Sequence, residues 1–328
     1  MSKPFASLSL DLDNKWSYLK THGNPGWSAY PTYLPMLVPR VLEILRRKSL
    51  TITFFIVGHD AADPRNADAL RQIAADGHEI ANHSYHHEPW LHRYSDERIE
   101  REIAQAEEAI VAATGERPRG FRGPGYSLSD ATLDVLARRG YRYDASTLPT
   151  FIGPIARAYY FMTSGMDRVE RAQREALFGS LADAMLPLKP YAWATAHGAL
   201  TEIPVTTMPL VRSPIHISYQ LMLGEISIPA ARAYFEVALR MCALTSTHPS
   251  LLLHPLDFIG ADDDADLAFF PGMRMPAARK IALAETLLDR YAQAFRVVTM
   301  RDHAAYAERG ERALRVRRAN FPSQPAPA

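Results

Sequence analysis

Between residues 5 and 144 the chain repeats one unit: a short apolar run, a segment of helical periodicity and a stop. "FASLSLDLD", "TITFFIVG", "HEIANHS" and "PRGFRGP" read as strands, rich in aliphatic and aromatic residues and bounded by turn residues. "LPMLVPRVLEILRRKS", "NADALRQIAADG", "SDERIEREIAQAEEAIVAATG" and "SLSDATLDVLARRG" carry apolar residues at helical spacing, the last three closing on Gly77, Gly115 and Gly140. Strands that alternate with helices bury a parallel sheet beneath them, so the repeat predicts a wound α/β fold, a barrel or an open sheet. At 328 residues the chain is long enough for one large domain or two smaller ones.

Two stretches break the rhythm. "NKWSYLKTHGNPGWSAYPTY" follows the first strand as a long aromatic loop adjoining Asp13, and loops of that length in a compact domain are more often functional than idle. Residues 150–200 show helical segments and no clear strand, and read as a mainly helical insertion. "LTEIPVTTMPLV", "PSLLLHPLDF" and "AFRVVTM" then resume as strands, with helices near 228–244 and 276–293, completing a single domain over 1–310. From 311 to 328 the chain turns basic and then proline-rich, the composition of a disordered tail.

Charge excludes one class of partner. Lys+Arg total 37 against 36 Asp+Glu, a formal net charge of +1 with no long basic stripe, so no nucleic-acid footprint is present. The single cysteine, Cys242, excludes an intrachain disulfide framework, and its apolar neighbours predict a buried helix position. The N-terminus shows no signal-like apolar region, and no apolar run reaches the ~18 residues of a membrane span. These features give the expectation of a cytoplasmic protein, soluble or peripheral to the inner face of the membrane.

The chemistry-bearing residues fall at predicted strand ends. Asp11 and Asp13 close the first strand, and residues two apart in a strand leave it on the same side. His83 and His87, in "HSYHH", are four apart and can aim two imidazoles at one point from a helical turn or tight loop. Arg122 ends "GFR" and His254 ends "LLLH". Strand ends are where wound α/β folds assemble sites. One carboxylate with two neutral imidazoles makes a three-ligand site for a divalent ion with positions left open, and the other carboxylate is free to act as a base.

In the order "DLD", "HSYHH", "RGP", "YDAS" and "LLLH", the chain resembles the polysaccharide deacetylases of the NodB-homology group, carbohydrate esterase family 4. The resemblance covers roughly residues 5–145 and 248–302. Many members carry two adjacent aspartates and a glycine where this chain has Asp11-Leu12-Asp13, a spacing closer to the branch of some peptidoglycan deacetylases and lipid-linked aminoarabinose deformylases. The resemblance implies a distorted (β/α)7 TIM-like barrel and metal-assisted removal of an N-acyl group, N-acetyl above all, from an amino sugar. It implies Asp13, His83 and His87 as metal ligands, Asp11 as base and His254 as the acid for the departing amine. Arg122 is expected to orient Asp11, and Asp144 to fix the tautomer of His254. Tyr126, through a nearby backbone amide, Trp16 and Trp90 are the candidate substrate contacts. Zinc is the expected metal, with cobalt, nickel, manganese or iron able to take the same ligands.

The expected substrate is an N-acylated amino sugar or glycolipid precursor in envelope or polysaccharide synthesis. The alternatives are a deformylase or amidase on another amide bond, and a non-catalytic carbohydrate-binding module. "ARAYYFM", "LPLKPYAW" and residues 203–229 could form an apolar lid or membrane-facing surface, although packing of the insertion's own small core accounts for them better. His59, His86 and His92 read as loop or packing residues as readily as pocket residues. "GADDDADL" lacks the spacing of a calcium loop and reads as a solvated face.

Overall fold

The computed structural model describes residues 3–151, 184–310, 313–319 and 321. Its strands are β1 (Phe5–Leu12), β2 (Thr53–Ile56), β3 (Glu79–Asn82), β4 (Gly120–Phe121), β5 (Tyr143–Asp144), β6 (Tyr191–Thr195), β7 (Gly198–Glu202), β8 (Ser250–Leu253), β9 (Arg296–Val298) and β10 (Val316–Arg318). The helices are α1 (Lys15–His22), α2 (Leu34–Arg47), α3 (Gly58–Ala62), α4 (Ala67–Ala75), α5 (Asp96–Thr114), α6 (Asp130–Arg138), α7 (Ile217–Ile226), α8 (Ile228–Leu244), α9 (Ala277–Ala294) and α10 (Met300–Glu308).

Seven strands run parallel in the order β7-β5-β4-β3-β2-β1-β8. Beyond β7 the chain reaches round to β8, where the Thr206 amide donates to the Ser250 carbonyl (3.0 Å) and the Ser250 amide to Thr206 Oγ1 (2.8 Å). These bonds close the distorted barrel that the family resemblance implied.

The alternation within β1 shows how the sequence builds it. Ala6, Leu8, Leu10 and Leu12 lie in the main core under the helices, with Phe54, Ile56, Leu251 and Leu253. Ser7, Ser9 and Asp11 take the opposite face, where Ser9 bonds Arg122 and Ser7 bonds His303. One face of each strand is thus apolar and the other partly polar, which leaves the barrel interior able to hold charged groups at its rim.

Three expectations need correction. The long loop after β1 contains α1, capped by the Asn14 side chain, and a 3-10 turn over Pro25–Ala29. Residues 152–183 lie outside the described residues, but the end of the supposed helical insertion forms β6, antiparallel to β7, around a turn in which Gly198 has φ 116°. Tyr191 and Trp193 alternate into a second core with Leu136 and Phe121, so the aromatic run was a strand signal. The tail also contributes structure: β10 pairs parallel with β6, and Phe321 packs on Trp193.

The apolar stretch of residues 203–229 is mostly interior. Ile215, Ile217 and Leu221 belong to the main core and Ile203 lines the barrel interior, while Leu210 (81% exposed) and Ile226 (86%) stay outside. "ARAYYFM" lies outside the described residues. No helix among the described residues is long and apolar enough to cross a membrane.

Candidate active site

Asp11 and Asp13 sit at the C-terminal end of β1, His83 just past β3, Arg122 past β4, Asp144 at the end of β5 and His254 past β8. All occupy one rim, as the register of a parallel barrel requires.

The ligand atoms of Asp13, His83 and His87 lie within 4.8 Å of one another, the one such group of metal-binding side chains among the described residues. Asp13 Oδ1 is 2.9 Å from His87 Nε2 and 3.4 Å from His83 Nε2. Neither contact has the alignment of a hydrogen bond, and Oδ1 is left buried with no donor. A buried carboxylate oxygen without a donor is costly in an empty pocket, and a cation between the three groups removes that cost. The spacing also suits one ion: ligands at about 2.1 Å in a tetrahedron stand roughly 3.4 Å apart. The donor set of one carboxylate and two imidazoles fits zinc and accepts other divalent first-row metals.

Each ligand is held from behind. His83 Nδ1 lies 2.6 Å from the Arg122 carbonyl, an acceptor, so Nδ1 carries the proton and Nε2 presents its lone pair to the site. The Tyr18 hydroxyl donates to Asp13 Oδ2 (3.3 Å) and that of Tyr33 to the Asp13 carbonyl (2.6 Å). Burial alone would raise the pKa of Asp13, but His87 and His83 outweigh it and hold the carboxyl well below its usual range. Burial would likewise lower His83, and Asp11, Asp13 and the Arg122 carbonyl raise it instead.

His87 reaches the site through strained backbone. Both Ser84 (φ 62°) and His87 (φ 52°) adopt the left-handed region, uncommon for residues with a Cβ. Glu102 of α5 over-determines the loop: its Oε2 accepts from the amides of Tyr85 (3.2 Å) and His86 (3.0 Å), and Oε1 lies 2.6 Å from His86 Nδ1. Helix α5 is placed in turn by Gly58, where a Cβ would stand 2.6 Å from the Ala106 Cα. His86 therefore anchors the loop and does not line the site.

Asp11 is kept apart from the ligand group. Arg122, fully buried, donates from Nη1 to Asp11 Oδ1 (2.6 Å) and Ser9 Oγ (3.0 Å), and from Nε to the Ala145 carbonyl (2.9 Å). Its guanidinium lies 4.2 Å from the centre of the Phe55 ring. Asp11 Oδ2 has no hydrogen bond among the described residues and is free to take a proton.

Other expected residues fall differently. The Asp144 carboxylate bonds Ser146 (Oγ 2.6 Å, amide 3.1 Å) and faces Glu202, while the neighbour of His254 Nδ1 is Ser218 Oγ at 3.0 Å. β5 and β8 stand apart in the barrel, with β7 and the segment after it between them, so Asp144 turns to the strand beside it. Burial raises the pKa of both Asp144 and Glu202, and of Glu202 furthest, as for two carboxyls sharing a proton.

Trp16 is 1% exposed, with its Nε1 on Asp60 Oδ1 (2.8 Å) and its ring edge-on to His87, so it backs the site and offers no free face to a sugar. Trp90 packs against the second core beside Leu91 and Tyr94. Tyr126 (φ 63°) donates its own amide to the Gly123 carbonyl (2.9 Å), so an oxyanion amide at this turn would come from a neighbouring residue. Burial and then the nearby Asp11 raise the pKa of the Tyr126 phenol. His59 stacks on Tyr30 (centroids 4.0 Å apart), and His92 bonds Ser127. The acidic loop ties Lys15 and Arg40 to Asp264 and Asp263.

Sequence reading passed over Asp60, Glu102, Glu202, Ser218 and His216. His216 is buried with Nδ1 unpartnered, and burial, His254 and Arg122 hold its pKa well below the usual value. Glu202 ends β7, but within a stretch read as one longer strand; the others stand at no strand end or recurring motif, and only Glu102, inside a helix and due to be buried, offered a hint.

Residues 26–143, which include His83, His87 and Arg122, match the family model described as polysaccharide deacetylase. A chitooligosaccharide deacetylase of Sinorhizobium fredii is 34% identical over 131 residues, 38% of this chain and 60% of that protein. A peptidoglycan-N-acetylglucosamine deacetylase of Bacillus cereus is 32% identical over 108 residues, 33% of this chain and 49% of that protein. The chain thus spans less than two thirds of the length of these relatives. A solved structure from Mycobacterium smegmatis assigned to the polysaccharide deacetylases superposes with a TM-score of 0.58 at 20% identity, covering 98% of this chain and 99% of that one, which shows a common fold.

Proposed function

We propose that the chain, whose residues 26–143 match the polysaccharide deacetylase model, hydrolyses the N-acyl group, N-acetyl above all, of an amino sugar in a metal-dependent reaction. One observation carries the reading: Asp13 Oδ1 lies buried and donor-less between two imidazole nitrogens, while a second carboxylate, Asp11, is held aside on Arg122 with one oxygen unbonded. A binding module has no need of that separation of a ligand carboxylate from a base.

Asp13, His83 and His87 would hold the ion, with zinc favoured. When bound, a divalent ion supplies Lewis acidity to the acyl oxygen and lowers the pKa of water. Asp11 accepts a proton at Oδ2 as water attacks the acyl carbon, with Arg122 fixing the carboxylate plane through Oδ1. His254 returns a proton to the departing nitrogen. His216, buried beside His254 with Nδ1 unpartnered, would supply a hydrogen-bonding group to the sugar or acyl oxygen.

A cytoplasmic location and a glycan or glycolipid precursor are the finer parts of this proposal, to be checked by fractionation and by the substrate panel. The deciding experiment is acetate or formate release from N-acyl amino sugars, free and lipid-linked, by metal-reconstituted protein. Release is expected from at least one. A metal-loaded protein that releases nothing from any of them removes the reading.

A further inference from the structure

The acid assigned above has a partner that no motif marks. We propose that Ser218, at the start of α7, is the positioning residue of His254 and couples it to the buried Asp257 carboxylate. The inference rests on the proposed role of His254 as proton donor.

Ser218 Oγ stands 3.0 Å from His254 Nδ1. Asp257, 1% exposed, is brought next to both: its Oδ2 accepts from the His254 amide (2.8 Å), and while burial raises its pKa, His254 and then the Ser218 hydroxyl lie close enough to pull against that rise. A hydroxyl both accepts and donates, so Ser218 can take Nδ1–H from the imidazole and give its own proton to the carboxylate. When ionised, Asp257 acts on the ring through one hydroxyl, and Nε2 is left to face the substrate. Asp144 serves Glu202 and Ser146 instead.

The support is rigid. Ile217 and Leu221 are buried in the main core, which fixes how α7 meets β8 and the turn Pro255–Asp257. The turn is pinned by Lys280 of α9, 1% exposed, whose Nζ donates to the carbonyls of Leu256 (2.8 Å) and Ile259 (2.7 Å). The other ionisable groups around His254 are His216 at the start of α7, its ring 6.0 Å away, and Lys280 behind Asp257. Arg122 faces His216 from the β4 end.

The test compares Ser218→Ala, Ser218→Thr and Asp257→Asn with the wild type, each metal-loaded and checked for wild-type circular dichroism and metal content. Ser218→Ala is expected to lose roughly 10–100-fold in kcat with KM little changed, as for loss of a group that orients a functional imidazole. The basic limb of its pH profile should move to lower pH. Ser218→Thr, which keeps the hydroxyl, should recover most of the loss. The 15N spectrum of the His254 ring reads the same contact without turnover: the wild type should show a hydrogen-bonded Nδ1–H that Ser218→Ala lacks. Wild-type kcat and pH profile in Ser218→Ala, or an unchanged Nδ1 signal, would overturn the proposal. A wild type that releases no acyl group but shows the Ser218-dependent Nδ1–H would remove the enzymatic reading and keep the pairing.

Discussion

Arg122 and Asp11 form a charge pair sealed from solvent, with Nη1 2.6 Å from Oδ1, Arg122 0% exposed and Asp11 4%. The same arginine accepts the His83 ring proton on its backbone carbonyl, so one residue supports both the proposed base and a proposed metal ligand.

Replacing Arg122 should therefore cost both stability and turnover. Arg122→Met leaves Asp11 buried without its cation, a loss of about 3–5 kcal/mol, and removes the hydrogen bond that orients Oδ1. Arg122→Lys keeps the charge but cannot reach Asp11, Ser9 and the Ala145 carbonyl together, so it should fold better than Arg122→Met yet stay well below wild-type activity. Urea unfolding and acyl release check the two effects; equal stability in all three proteins would contradict the sealed pair.

The two aspartates should separate by experiment. Asp13→Asn is expected to lose bound metal and the stabilisation that zinc gives the wild type, about 2.7 kcal/mol at free zinc of 100 times Kd, read as a rise in melting temperature. Asp11→Asn should keep metal and lose turnover. Metal analysis after gel filtration decides; equal metal loss in both would overturn the division of roles.

Glu102 does not approach the ligand group, yet Glu102→Ala should weaken metal binding by roughly 10–100-fold. It removes the acceptor of two loop amides and the partner of His86, and the left-handed backbone at Ser84 and His87 then relaxes. Glu102→Gln keeps an acceptor and should fall between. Isothermal titration with zinc reads the series, and wild-type affinity in Glu102→Ala would count against the anchor.

At the opposite end of the barrel, His303 is buried against Ser7 (2.7 Å), and burial pushes its pKa down to about 3 from 6.5. Unfolded chains bind this proton below pH 6.5 and the native state does not until about pH 3, so stability falls as pH drops through that window. The loss is on the order of a few kcal/mol at full extent. His303→Gln, which stays neutral, should flatten the difference between urea midpoints at pH 7 and pH 5. An unchanged pH slope would show that acid sensitivity arises elsewhere.

The strand ends that carry Asp11, Asp13, His83, Arg122 and His254 were readable because strand and helix periods are local properties of the chain. Their meeting at one rim follows from parallel strands joined by helices. β6 was missed because the aromatic alternation of Tyr191 and Trp193 looks the same in a packed hairpin as in the edge of an insertion, until the partner strand is known. β10 was missed because a basic segment forms a strand only where an open edge, here that of β6, accepts it.

The chain's own pattern thus carried the fold class, the positions of the chemical groups and the pairing of Asp11 with Asp13 on one face of β1. Which group serves which depended on three-dimensional adjacency. Asp144 seemed paired with His254, but four strands separate β5 from β8 on one side and β7 with its extension on the other. Ser218, 36 residues from His254 in sequence, reaches its ring because α7 packs on the end of β8. A hydrogen bond acts over about 3 Å and has no memory of sequence distance, so such partners emerge only when the barrel closes.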